Sequence, residues 1–403
     1  MTTAIVGASI AGVRAAQALR AEGYRGDVVL IGSEPVLPYD KPPLSKGYLV
    51  GAGAAEVTLL TAAEALELNI DLRLGVPAVG LDRALSELRL ANGRRVGFDD
   101  LVVATGVRAR PSPWGEGEGI HVLRTLDDAD RLRAELVPDR RIIVIGAGFI
   151  GAEVAATALG LGVDVTLVSA TRDLMSRRLG DEIGALFSQK HSRHGVHAVL
   201  GRTVAQIDGA KGDFRVLLDD GSELHGDVVV IGIGAVPNVE WLEDSGLEID
   251  DGLVCDEFLT ALGAPEIHAI GDVARWRHPV RGDLTRLEYW TNAVDQARCV
   301  AHNIAHPDDR RSYLPVEYVW SDQFNWKLHI VGRTTAVNPE MVTDPRTPDR
   351  IASLYSQNGL SFDGAVVLNW PRALVEVRRS IAAGSSLSDV RVRLGRLLES
   401  ASG

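Results

Sequence analysis

Cysteine is almost absent from this chain. Cys255 and Cys299 are the only two in 403 residues, and they form no CxxC, no CxxxxC and no metal-ligand spacing. That argues against a disulfide framework and against a thiol redox relay, and each cysteine reads as a small buried apolar residue. Lysine is scarce too: Lys41, Lys46, Lys190, Lys211 and Lys327 are all there is, so arginine carries nearly all the positive charge. Acidic residues outweigh it, leaving a formal net charge of −12. That balance argues against nucleic acid as a partner and against an anionic membrane surface. No long apolar run is free of charge either. The nearest, Ile142–Val165, is broken by Glu153 and Asp164 and punctuated by glycines, so a buried strand–turn–helix unit explains it better than a membrane span. No charged leader or cleavage site precedes the first apolar run, so a cytoplasmic protein is expected. A metal site is not expected. His191, His194 and His197 recur every three residues, but Gly195 interrupts the helix that would align them.

Glycine, by contrast, is abundant, with 42 residues. Gly7-Ala8-Ser9-Ile10-Ala11-Gly12 follows the apolar run Ala4–Val6, and Gly146-Ala147-Gly148-Phe149-Ile150-Gly151 follows Ile142–Ile145. Each reads as strand, tight turn, helix, which puts a dinucleotide pyrophosphate on a helix N-terminus. Gly7 permits the turn and Gly12 close strand–helix packing, while Ser9 replaces the middle glycine with a hydroxyl able to donate to a phosphate. The strand after the first fingerprint ends in Glu34, placed to accept from ribose hydroxyls; the strand after the second ends in Ser169, which is no acid. One such fingerprint is a weak signal, but two, with a ribose-length acid and further glycine turns at strand ends, point to two dinucleotides in one chain.

A hydrophobic content of 46% and a charged content of 24% suit a globular protein of two or three domains. The pattern predicts an α/β fold: two Rossmann-like domains, one inserted in the other, then a small α+β C-terminal domain. The expected bounds are 1–109 with 235–309, then 110–234, then 310–403. Hairpins are predicted around Asn92-Gly93 and Asp219-Asp220-Gly221. A helix is predicted from near Tyr289–Asn292. Short strands are predicted at Tyr318–Trp320, Leu328–Val331, Ile351–Tyr355 and Ala365–Leu368, and a final amphipathic helix at Leu387–Glu399.

Taken together, the loop Pro38–Lys46, Ala104-Thr105-Gly106, Gly146–Glu153, Gly232–Asn238, Gly271-Asp272 and Trp320-Ser321-Asp322-Gln323 make the whole chain resemble a known family. It is similar to the ferredoxin reductases that serve bacterial cytochromes P450 and Rieske-type dioxygenases, the putidaredoxin reductase family. The resemblance implies a flavoprotein of the glutathione-reductase-like fold, with resident FAD on the first fingerprint and exchangeable NAD(P)H on the second. It implies that Lys46 lies against flavin N5, paired with Glu153, the acid facing the nicotinamide. Lys41 takes the position of a usual arginine near the FAD phosphates, keeping the charge without bidentate geometry. Asp272 is expected on the ribityl chain or pyrophosphate side, with a helix N-cap as the plainer role. Glu288, Tyr289 and Trp290 open the helix whose N-terminus would face the flavin pyrimidine. Trp320 matches an aromatic beside the ring, and equally reads as a core tryptophan. The implied FAD contacts are thus Gly7, Ser9, Ile10, Ala11, Gly12, Glu34, Lys41, Lys46, Ala104, Thr105, Gly106, Gly271, Asp272, Glu288, Tyr289, Trp290 and Trp320. For the nicotinamide nucleotide they are Gly146, Gly148, Phe149, Ile150, Gly151, Glu153, Ser169, Arg172, Arg177, Gly232, Ile233 and Gly234.

The implied reaction is hydride transfer from NAD(P)H to flavin, then single-electron transfer to a 2Fe–2S ferredoxin. Family precedent favours NADH, while Ser169 with Arg172 or Arg177 leaves NADPH open. Arg275, Arg277, Arg281, Arg310, Arg311 and Arg333 are candidates for docking an acidic ferredoxin. NADH oxidases, peroxidases and disulfide reductases need a cysteine after the first βαβ that this chain lacks. Rubredoxin, monodehydroascorbate and nitrite-type reductases of the same fold stay open, as does a flavin-bound signalling protein. So does the choice between monomer and weak dimer.

Overall fold

Thr2–Val6 and Arg141–Ile145 are each a short run of β-branched and aliphatic residues, and each becomes the middle strand of a five-stranded parallel sheet. Their side chains are buried on both faces, as a parallel sheet covered on both sides requires. The computed structural model describes residues 1–334 and 339–399, and its contacts divide them into two units. The first holds Met1–Lys41, Gly53–Arg108 and Ala235–Pro315; the second holds Pro42–Ala52, Ala109–Gly234 and the chain from Val316 onward.

In the first unit the sheet runs Ile267–Ala269, Asp100–Val103, Thr2–Val6, Asp27–Ile31, Ile70–Arg73. The helix Ile10–Ala21 leaves the first glycine turn and packs along the helix Trp290–Ala305. The hairpin predicted at Asn92-Gly93 joins Glu87–Leu90 to Arg95–Gly97.

The second unit repeats the plan: His197–Leu200, Asp164–Ser169, Arg141–Ile145, Val228–Ile231, Ile120–His121, all parallel. The hairpin predicted at Asp220-Gly221 joins Asp213–Leu218 to Glu223–Gly226. This unit also contains a five-stranded antiparallel sheet, ordered Tyr318–Gln323, Trp326–Gly332, Gly364–Leu368, Thr347–Tyr355, Glu340–Asp344. The helices Pro371–Ala382 and Leu387–Glu399 bury Ala373, Val377, Val390 and Leu394 against it. The stretch from Ile142 to Val165 resolves into strand, helix Phe149–Gly160 and strand. No helix among the described residues is long and apolar enough to cross a membrane.

Candidate functional site

The two glycine turns are built alike. Gly7 has φ +119°, and a Cβ there would lie 2.1 Å from the Ala104 carbonyl oxygen; Gly146 has φ +105°, and a Cβ there would lie 2.2 Å from that of Gly232. A Cβ at Gly12 or at Gly151 would meet the carbonyl oxygen of Gly7 or Gly146 at 1.9 Å. Each fingerprint's first and last glycine is therefore demanded by the fold itself. The middle position differs. A Cβ on Gly148 would meet nothing within 4 Å. Packing does not require glycine there, and its effect is to open the backbone at the N-cap of Phe149–Gly160 to close approach by a phosphate. Ser9 is the N-cap of the first helix, yet its hydroxyl makes no capping hydrogen bond. Ile10, Ala11, Phe149 and Ile150 form the first helical turns behind these caps.

The strand ends also differ. The Glu34 carboxylate accepts from Tyr39 Oη at 2.6 Å and Lys41 Nζ at 3.3 Å, so Lys41 and Glu34 form one hydrogen-bonded group. Ser169 is buried, shares a hydrogen bond of 2.9 Å with Thr171 Oγ1, and accepts through its carbonyl from the Arg202 backbone at 3.0 Å. Arg172 and Arg177 are exposed. Around the first turn, Thr105 Oγ1 donates to the Asn238 carbonyl at 2.8 Å and Asn238 Nδ2 returns a bond to Thr105 at 2.9 Å, fixing the loop through Gly106. The Gly271 amide donates to Gln296 Oε1 at 2.7 Å, leaving Gln296 Nε2 a buried donor with no hydrogen-bond partner. Asp272 lies inside the short 3-10 turn Gly271–Val273, whose N-cap is Ile270, so the N-cap role expected for Asp272 does not hold. Glu288 binds Arg286 at 2.7 Å, and Trp290 Nε1 donates to Asp40 at 2.9 Å. Tyr289 is the N-cap of Trp290–Ala305, with no side-chain capping bond. In the second unit the turn at Gly232, Ile233 and Gly234 is held by Gly232 N to Ile145 O at 2.8 Å and Arg110 N to Gly234 O at 2.9 Å.

The densest polar cluster surrounds Glu153, two residues beyond Gly151 and only 4% exposed. One carboxylate oxygen accepts from Lys46 Nζ at 2.6 Å and Ser45 Oγ at 2.5 Å; the other accepts from Ser321 Oγ at 2.6 Å. Lys46 also donates to the Pro42 carbonyl at 3.0 Å. Thr157 Oγ1 holds the Ser45 carbonyl at 2.8 Å, and Gln323 Nε2 donates to Ser321 at 3.0 Å. A buried carboxylate survives only when paired and saturated with donors, and these three supply that. Ser45 and Ser321 were not singled out from sequence. Ser321 had a readable signal: neighbours on a strand face opposite ways, so of Trp320 and Ser321 only one can meet Glu153. It is the serine; Trp320 instead stacks with Tyr318 at 6.0 Å between centroids.

The histidine triplet does not converge. His191 is fully buried between the carbonyls of Phe187 and Ala152, His194 stacks on Phe324, and His197 begins the next strand. Of the docking arginines, Arg275, Arg281 and Arg311 are neutralised by Asp250, Asp283 and Asp309; Arg277 binds the Gly282 carbonyl and Arg310 lies over Phe258. Arg333 belongs to the other unit.

Two Rossmann-like sheets, each with its glycine turn, and a buried ion pair beside the second define an oxidoreductase that handles two dinucleotides. The chain belongs to the pyridine nucleotide-disulphide oxidoreductase family, whose model matches residues 1–297, and residues 318–393 match the reductase C-terminal family. It is 37% identical over 392 residues to rhodocoxin reductase of Rhodococcus erythropolis, covering 96% of this chain and 91% of that one. It is 36% identical to the ferredoxin–NAD(+) reductase component of the anthranilate 1,2-dioxygenase system of Burkholderia cepacia, covering 94% of each. The fold matches the crystal structure of the covalent putidaredoxin reductase–putidaredoxin complex with a TM-score of 0.88 at 32% identity, over 94% of this chain and 92% of that one. The family uses FAD and NADH, and the cradles at Ser9 and Gly148 fit both pyrophosphates.

Proposed function

We propose that this protein is a ferredoxin reductase: it draws electrons from NADH through FAD and delivers them singly to a 2Fe–2S ferredoxin serving a cytochrome P450 or Rieske oxygenase. The observation that carries the proposal is the buried Lys46–Glu153 pair beside the second glycine turn, in a chain whose two cysteines are free thiols. Burial pushes the Cys299 thiol up to about 11 and the Cys255 thiol higher still, so neither supplies a thiolate relay. Free thiols also suit the reducing cytoplasm, where we place the reaction.

We assign residues 1–109 and 235–309 to FAD, 110–234 to the nicotinamide nucleotide, and 310–403 to a C-terminal domain. Bound FAD supplies the conversion of a two-electron reductant into one-electron transfers. Glu34, held by Tyr39 and Lys41, accepts the adenosine ribose hydroxyls. The Gly148 backbone admits the second pyrophosphate. Glu153 offers a fixed negative charge to the nicotinamide, favouring the positively charged oxidised ring, while Ser45 and Ser321 hold that carboxylate in place by donating to it. Lys46 presents a cation held by three acceptors. Ser169 leaves the adenosine 2′-position without a repelling acid, so NADPH is accepted more weakly than NADH rather than refused.

The test is anaerobic reduction of the holoenzyme by NADH and by NADPH, followed by NADH-driven cytochrome c reduction with added 2Fe–2S ferredoxins. Flavin reduction without transfer to any 2Fe–2S ferredoxin, together with turnover of rubredoxin or monodehydroascorbate, overturns the proposal.

A further inference from the structure

Away from both glycine turns, within the first unit, three metal-ligand side chains converge where two helices end. His302 Nδ1 lies 3.2 Å and His306 Nε2 3.1 Å from the same oxygen, Glu22 Oε2. The three ligand atoms lie within 4.8 Å of one another. Glu22 is the C-cap of Ile10–Ala21, and His306 is the C-cap of Trp290–Ala305. Both helix C-termini turn partial negative charge toward this spot, which favours a cation there.

Hydrogen bonding fixes one proton on His302. Its Nε2 is 2.9 Å from the Asp309 backbone oxygen, which can only accept, so Nε2 carries the hydrogen. In a neutral imidazole the other nitrogen is then a bare lone pair. Here that lone pair faces a carboxylate oxygen at 3.2 Å, so a shared proton or a cation lies between the two acceptors. A backbone carbonyl on the far ring nitrogen is also the arrangement that orients a metal-ligating histidine. His302 and His306 stand four apart, one in the last turn of the helix and one at its C-cap, the same sequence spacing as the paired histidines of helical zinc sites. Two histidines and a carboxylate with one open position form a zinc donor set. The separations of 3.1 and 3.2 Å are close to the ~3.3 Å edge of a tetrahedron with metal–ligand bonds of about 2.0–2.1 Å. His302 is buried, whereas His306 is exposed and Glu22 half-buried, so two of the three ligands are free to close on an ion.

We infer that Glu22, His302 and His306 form a binding site for a divalent transition-metal ion, zinc by donor chemistry, completed by water and clamping the two helix ends together. The site takes no part in the proposed electron transfer.

The test uses tag-free, flavin-loaded, full-length protein stripped with chelator. It is titrated with Zn²⁺ by calorimetry and with Co²⁺ by visible absorption. One ion per chain is expected, with a tetrahedral Co²⁺ spectrum. His306→Ala and Glu22→Gln should each weaken binding by more than about 100-fold, beyond what loss of a mere outer partner costs. Saturating Zn²⁺ should raise the melting temperature of the wild type and not of His306→Ala. Because His306 is exposed, that variant should keep its flavin and its NADH–ferricyanide rate, which separates a lost site from a lost fold. Absence of stoichiometric binding, or binding unchanged in His306→Ala, overturns the inference and leaves a second proton on His302 as the positive centre.

Discussion

The two parallel sheets are near copies up to the middle of the glycine turn, and they diverge where a ligand would begin. Gly7 and Gly146 stand equally close to a neighbouring strand's carbonyl, and Gly12 and Gly151 equally close to the turn below them. Then Ser9 answers to Gly148, and Glu34 with its two donors answers to Ser169 with its hydroxyl neighbour. The shared residues make the turn; in the proposed function the unshared ones choose the nucleotide. The first end offers a carboxylate held by two donors, and the second end is neutral.

Breaking the shared part should cost most. Gly12→Val and Gly151→Val each drive a side chain into a carbonyl, and each should lose on the order of 4 kcal/mol in denaturant unfolding. Flavin content separates them: Gly12→Val should purify without flavin, and Gly151→Val should keep flavin that NADH no longer reduces. Next comes the ion pair. Glu153→Gln leaves Lys46 without its carboxylate and should cost about 3 kcal/mol, with a slower NADH half-reaction in stopped flow. Ser321→Ala removes one hydrogen bond to a charged group, about 1.5–3 kcal/mol, and normal stability in that variant would mean the serine holds nothing in place. The unshared strand ends should show smaller effects. Ser169→Asp should lower kcat/KM for NADPH by about tenfold, roughly 1.4 kcal/mol, with NADH nearly unchanged. Glu34→Gln should instead weaken FAD retention without changing the KM for NADH. The smallest change is expected at Cys299. Its thiol stays protonated at neutral pH, so Cys299→Ser should leave turnover intact. Iodoacetamide labelling should rise with pH toward about 11 instead of levelling near the ordinary thiol value.

The central strands of both parallel sheets, both hairpins and the last helix were legible because β-branched runs, Gly-containing turns and helical spacing are local signals, while the edge strands Ile70–Arg73 and Ile120–His121 were not read. The helix Pro371–Ala382 and the strand Glu340–Asp344 were not read, although Pro371 at the first helical turn is a recognised start signal. The Lys46–Glu153 pair joins residues 107 positions apart, and only the family resemblance pointed to it. Ser45 was missed because a single buried hydroxyl leaves no periodic trace, and Ser321 because strand alternation singles it out only once Glu153 is known to lie beside that strand. The Glu22–His302–His306 group was missed for a related reason: Glu22 is brought to the histidines by helix–helix packing, not by sequence spacing.

The order of strands in the first sheet has a consequence for synthesis. Its edge strand Ile267–Ala269 pairs with Asp100–Val103, so that sheet stays incomplete until the ribosome has passed residue 269. By then every strand of the second parallel sheet, from Ile120 to Ile231, has already emerged. The inserted sheet is therefore free to fold first, while its host waits with Asp100–Val103 as an open edge. A chain cut short before Ile267 would keep that apolar edge exposed, and should aggregate rather than persist as a half-built reductase.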